Sequence, residues 1–302
     1  MYALVAQLVE QLICNQWVCL IFLVKFTLLY SYCILRLCEY DNYLETEYKD
    51  KKYMNKLKKN EKKFNLEEFI KKNKTDKKRY ILEEAKKINP PNKIHPDLWE
   101  AYKNKEIINN FIKDYIQLKK STDEEIKEKI KNKIEYFKND YINNKIANKM
   151  SSTKTSLFSM IGADIFKSAQ TISRSLSTSM GTLWEKIASC SNNVINTEEE
   201  FGIKITGIDA ISLINEKITY IQLKTAEDTL TAGQSPRSEM ELSIHSNAIF
   251  GTAFKTGSTW HFRSVKINKF AGKDFWTKID LDYDYIFDQI KPMILEIEEK
   301  YV

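Results

Sequence analysis

Residues 207–225 read GIDAISLINEKITYIQLKT. Two apolar runs flank a short polar stretch, Asn215–Glu216, and both are rich in the β-branched and aromatic residues that suit a pleated sheet. The pattern predicts a β-hairpin. If the turn holds two residues, positions pair when their numbers sum to 431, so Ile214 faces Lys217 and Asp209 lies opposite Gln222. Directly opposed side chains have Cβ atoms about 5 Å apart. Lys224 stands two residues beyond Gln222 and shares its face, while Ile221 and Leu223 turn to the other. A three-residue turn would shift this register by one, unless a bulge corrected it.

Such a convergence admits two readings. In the plain one, Asp209 caps a turn, Gln222 is solvated and Lys224 protects a strand edge. In the chemical one, the cluster suits phosphodiester hydrolysis, which needs a hard cation on the phosphate and a positioned water. Mg²⁺ takes oxygen ligands in octahedral geometry. The Asp209 carboxylate, the Gln222 amide oxygen and the Leu223 main-chain carbonyl can supply them, and Lys224 can orient water and offset developing negative charge.

Asp209 followed by Gln222-Leu223-Lys224 resembles the PD-(D/E)XK nuclease superfamily, in its variant with glutamine in place of the second acid. Ile208 stands where that motif has proline. SMGTLWEKI (179–187) looks like the helix that precedes the first strand in type II restriction endonucleases, with Glu185 as a further site carboxylate. GKDFWTKIDLDYDYIFDQIKPMI (272–294) is similar to the Phe-Trp segment and final helix of many such enzymes. The resemblance covers about 180–302. It implies an α/β (α+β) fold: a helical N-terminal region, then a restriction-endonuclease-like mixed β-sheet flanked by helices. It further implies a Mg²⁺-dependent, sequence-specific endonuclease acting on double-stranded DNA as a homodimer, with a cognate DNA methyltransferase encoded nearby. Separately, the single cysteine beyond Met54, Cys190, reads as a reducing, cytoplasmic compartment. A modification-dependent or repair nuclease, or a non-catalytic DNA-binding protein with a degenerate site, are the alternatives.

Around the hairpin, TAEDTLTAGQSPRSEMELSI (225–244) reads as a loop and then a helix, with Ser235 as N-cap. AIFGTAFKTG (248–257) and TWHFRSVKI (259–267) read as strands. Gln234, Arg237, Lys255, His261 and Arg263 are candidate DNA contacts, since Arg and Gln can read guanine and adenine edges. Trp260 and Trp276 are expected in the core.

Three regions are expected: 1–53, 54–150 and 151–302. Residues 54–150 are lysine-rich and show helical spacing. HPDLWEAYKNKEIINNFIKDYIQL (95–118) predicts one helix, and Ser121 with Glu124 predicts the capped start of the next. Residues 151–182 are rich in Ser and Thr and read as a linker or interrupted helices. Residues 17–35 are apolar enough to suggest a membrane span, but Lys25 sits mid-run, where a charge costs roughly 3 kcal/mol. The preferred reading is a non-native N-terminal extension ending before Met54.

The net charge is +6, and residues 1–53 carry five Lys or Arg against six Asp or Glu, leaving +7 on the remainder. A basic balance suits a nucleic-acid partner without requiring one. Four of five cysteines (Cys14, Cys19, Cys33, Cys38) precede Met54, and no Cys/His spacing suggests zinc.

Overall fold

The computed structural model describes residues 64–146, 160–231 and 233–301. The expected extension and the apolar run 17–35 lie outside the described residues. Among the described residues no helix is long and apolar enough to cross a membrane.

Residues 66–302 form one compact α+β unit. Helices α1 (Leu66–Lys71), α2 (Lys74–Ala85), α3 (Trp99–Asn109), α4 (Ile112–Gln117) and α5 (Asp123–Asp140) come first. The single helix expected over 95–118 is divided. A 3-10 turn, Pro96–Leu98, leads into α3, and the chain bends at Asn110–Phe111 before α4. The bend buries Phe111 in an aromatic cluster, with ring centroids 4.8 Å from Phe69 and 5.6 Å from Phe201.

The capping box at α5 sits one residue later than expected. Thr122 is extended and its hydroxyl accepts the Glu125 N–H, while Glu125 reaches back to the Thr122 N–H. Ser121 is instead occupied by Lys129, whose Nζ donates to its hydroxyl at 2.6 Å. Ile126, Ile130, Ile134 and Phe137 then fall on one buried stripe.

The Ser/Thr-rich stretch holds a long helix, α6 (Asp164–Ala188), where a linker or broken helices were expected. At 25 residues it is about 37 Å long. Thr171 and Thr178 spend their hydroxyls on the carbonyls of Lys167 and Arg174, four residues back, so they do not compete with the helix ladder. Met180, Leu183, Trp184 and Ile187 are buried and join the α5 stripe in one core. The change of composition near 150 therefore marks no break in that core. At the end of α6, Lys119 donates to the carbonyls of Ser189, Ser191 and Val194. A cation there also complements the helix dipole.

The sheet follows. Strands β1 (Val194–Ile195), β2 (Ala210–Ile214), β3 (Lys217–Lys224), β4 (Ala248–Thr252) and β5 (Asn268–Ala271) lie in that order across it. β1–β2 and β2–β3 pair antiparallel, and β3–β4 and β4–β5 pair parallel. Helix α7 (Thr197–Phe201) separates β1 from β2, and α8 (Gln234–Ser243) makes the crossover from β3 to β4. Helices α9 (Lys273–Lys278) and α10 (Tyr283–Tyr301) close the chain.

The hairpin turn holds two residues, Asn215 and Glu216, both with positive φ (48° and 61°). That turn hand matches the twist of paired strands. Pairing runs from Ile214↔Lys217 to Ala210↔Ile221, the expected register. Ile221, Leu223, Ile249 and Ala253 face the core made with α5, α6, α9 and α10. The Phe275 ring lies so close to β4 that a Cβ at Gly251 would stand 2.4 Å from it. Trp276 is buried there and donates to the Ala253 carbonyl, whereas Trp260 is half-buried, edge-on to Phe250.

Residues 259–267 are a loop, where a strand was expected. Three of its N–H groups are spent on side chains, Arg263 N on Ser235 Oγ and Lys266 N and Ile267 N on Ser264 Oγ, while His261 N donates to the Glu227 carbonyl. No ladder can use them, and the last strand starts only at Asn268. For the same reason Ser235 does not cap α8. The residue before that helix is Gly233, with no side-chain cap.

Candidate active site

The site lies where β2 begins and β3 ends. Asp209 directly precedes β2, and its N–H donates to the Ile221 carbonyl at 2.8 Å. Ile221 already pairs with Ala210, so the register slips by one here, as in a bulge, and the expected Asp209–Gln222 pair does not continue the ladder. Its Oδ2 accepts the Leu223 N–H at 2.7 Å. Lys224 Nζ stands 4.0 Å from the same oxygen. Along a strand paired antiparallel, a residue's N–H and C=O point to the same side. The Leu223 carbonyl is therefore turned toward Asp209 as well. The Asp209 and Lys224 side chains are 16% and 29% exposed, sheltered yet within reach of solvent.

Gln222 is buried, at 5% exposure, and its Oε1 meets no hydrogen-bond donor. An acceptor left so costs about 1–3 kcal/mol. Folded proteins seldom retain such a group without a reason.

Glu185 sits in the last turn of α6, half-buried. Burial and then the neighbouring Asp209 charge push its carboxyl up to about 7, against the pull of Lys204 and Lys224. Asp209 is likewise pushed up, chiefly by burial, against Lys224, the Leu223 N–H and Lys204. Both carboxylates are thus held where their negative charge is poorly compensated. A cation would relieve both. Among the described residues no cluster of three or more His, Cys, Asp or Glu side chains is placed to hold a metal ion. The groups that interact here are the Asp209 and Glu185 carboxyls, the Leu223 main chain and the Lys224 ammonium.

Sequence reading missed two neighbours. Glu241 on α8 lies over Gly207, where an added Cβ would come within 2.5 Å of the glutamate Cβ, and Gly207 has φ +76°. This close approach packs α8 against the loop that delivers Asp209, and the Glu241 charge adds to the upward push on Asp209. Lys204, exposed in the same loop, acts on both site carboxylates. No spacing rule points to either residue, although Arg237 and Glu241 stand at helical i,i+4 spacing.

The five candidate DNA contacts are all exposed. Arg237 Nε donates to Glu241 Oε1 at 2.9 Å, which links it to the Asp209 loop. Gln234 is engaged locally, its Oε1 accepting the Thr231 N–H. Lys255, His261 and Arg263 lie on the 254–264 segment. That segment is tied to the chain after β3: Glu227 Oε2 accepts from Thr256 N and Oγ1, and His261 Nδ1 lies 2.7 Å from the Leu230 carbonyl. In comparisons with known proteins, no family model and no curated protein sequence matches the chain.

Proposed function

We propose that the protein is a Mg²⁺-dependent endonuclease that hydrolyses phosphodiester bonds of double-stranded DNA, with Asp209, Gln222, Lys224 and Glu185 as its site. The observation that carries this reading is the Asp209 carboxylate, held by the Leu223 N–H and 4.0 Å from Lys224, with the neighbouring Glu185 carboxyl and both acids pushed up by burial. Asp209, Gln222 Oε1 and the Leu223 carbonyl would hold the ion, with Glu185 as a second carboxylate nearby. Bound there, Mg²⁺ would supply charge to the scissile phosphate and lower the pKa of water.

The chain's own residues do the rest. The Leu223 N–H fixes one Asp209 oxygen and so sets the carboxylate's orientation. Lys224, 4.0 Å from that oxygen, is placed to position a water or to meet charge developing on the phosphate. Glu185 near pH 7 exists in both protonation states and can accept a proton from water or return one. Arg237 and the 254–264 segment offer exposed cations and polar groups for DNA. The type II restriction class, a homodimer on palindromic sites and a partner methyltransferase rest on the sequence resemblance.

A second reading, DNA binding without cleavage, is favoured by the neutral Gln222 in place of a second acid on β3. One experiment separates them. Full-length protein is incubated with plasmid DNA in Mg²⁺, in Mn²⁺ and in EDTA. Discrete fragments that need the cation and vanish with Lys224→Ala are expected. DNA binding without cutting in either cation, or full activity in Lys224→Ala, would sink the nuclease reading.

A further inference from the structure

A second place in the molecule has the makings of a binding site, and it belongs to the helical region. Helices α2 and α3 enclose a cleft of about 480 Å³ lined by Leu82, Ala85, Lys86, Pro96, Trp99, Glu100, Lys103 and Asn104. Small-molecule sites are typically clefts of roughly 300–1,000 Å³ with few polar groups. Asn104 lies behind the cleft wall, 1% exposed, with its Oδ1 closed to solvent and meeting no donor. The Trp99 indole N–H donates to the Ile94 carbonyl, which fixes the ring in place, and the ring remains 44% exposed. Lys86 and Lys103 approach from the two opposite helices and outnumber the single Glu100.

These groups specify a ligand. A fixed, exposed indole offers a stacking face for a planar ring. Two lysines on facing walls suit an anion. A nucleobase joined to a phosphate carries both features. We propose that the α2–α3 cleft binds a single nucleotide, its base on Trp99 and its phosphate between Lys86 and Lys103. The nucleotide can come from two sources: free in solution, or an unpaired residue swung out of a DNA strand.

The test uses full-length protein in EDTA, so that it reads binding alone. Isothermal titration is run with the four deoxynucleoside monophosphates, with a duplex carrying one unpaired nucleotide, and with the same duplex fully paired. Saturable binding of a monophosphate would put the source in solution. A preference for the bulged duplex with no monophosphate binding would put it in DNA, and either result upholds the cleft. Trp99→Ala, and Lys86→Ala with Lys103→Ala, should weaken that binding about tenfold or more, the loss typical of a stacking residue. Trp99→Phe should keep most of it. The proposal is overturned if neither ligand binds better than paired duplex, or if the variants, with Tm unchanged, bind as the wild type does. Because no divalent cation is present, this outcome is independent of whether Lys224→Ala cuts DNA.

Discussion

Two acidic regions flank the end of β3, and they are built in opposite ways. Glu227, three residues past Lys224, is buried, and burial alone would push its carboxyl up. Hydrogen bonds from the Thr256 N–H and hydroxyl, with further main-chain donors, outweigh that and hold it below the usual range. Asp209 and Glu185 go the other way, with one main-chain donor on Asp209 and lysines that do not offset burial. Asp209 and Glu227 are placed by strands of the same sheet, and Glu185 by the end of α6. One is answered from within the chain and pins a loop, while the pair is left short of positive charge. The difference marks which group serves the fold and which is available to a ligand.

The widest gap between the two regions should appear in cleavage. Asp209→Asn keeps an oxygen for the Leu223 N–H but removes the charge. We expect plasmid cleavage to fall by about 10²–10³-fold, the loss typical of one electrostatic group at a reacting centre. Tm in EDTA should hold or rise, because an under-compensated charge is gone. A drop in Tm instead would make Asp209 structural, like Glu227. The mirror experiment is Glu227→Ala, which strips the Thr256 donors of their partner. Urea unfolding should show a loss of about 2 kcal/mol, with Mg²⁺-dependent cleavage of the folded protein retained. If cleavage vanished while stability held, the contrast between the regions would fail.

The smallest effect is a pH dependence. A carboxyl raised to about 7 in the folded state, against an ordinary 4.5, binds protons more tightly folded than unfolded. Its contribution to stability is therefore complete below about pH 4.5 and is lost as pH rises through 7. Without metal, Glu185→Gln should unfold at a higher urea concentration than wild type at pH 8, by about 1 kcal/mol after allowance for partial exposure. The two should converge near pH 4.5. Equal curves at both pH values would remove Glu185 from the coupled pair.

What the sequence made legible was local. The hairpin register follows from alternation and a two-residue turn, both contained in nineteen residues, and Asp209 and Lys224 stand 4.0 Å apart at its open end. The α8 helix and the α+β order were readable from the same kind of pattern. The misses depended on partners distant in the chain. Residues 259–267 have strand-like composition, yet Ser235, 28 positions before Arg263, takes one of the N–H groups a ladder would need. The 95–118 segment has unbroken helical spacing, but Phe111 is drawn toward Phe69 and Phe201. Ser and Thr between 164 and 180 argued against a helix, but Thr171 and Thr178 turn their hydroxyls back on the ladder and the buried face of Met180, Leu183, Trp184 and Ile187 holds it to the core. Glu241 reaches the site from 34 positions beyond Gly207, a distance across which no spacing rule operates.

Gly207 carries one more consequence. Its left-handed backbone and its contact with Glu241 bind two positions into one choice. In a set of homologous sequences, 207 and 241 should vary together: glycine with glutamate, or a larger residue at 207 only where 241 has become short. Independent drift at the two positions would mean that the loop carrying Asp209 tolerates displacement, and that the helix above it is free to change its own contacts.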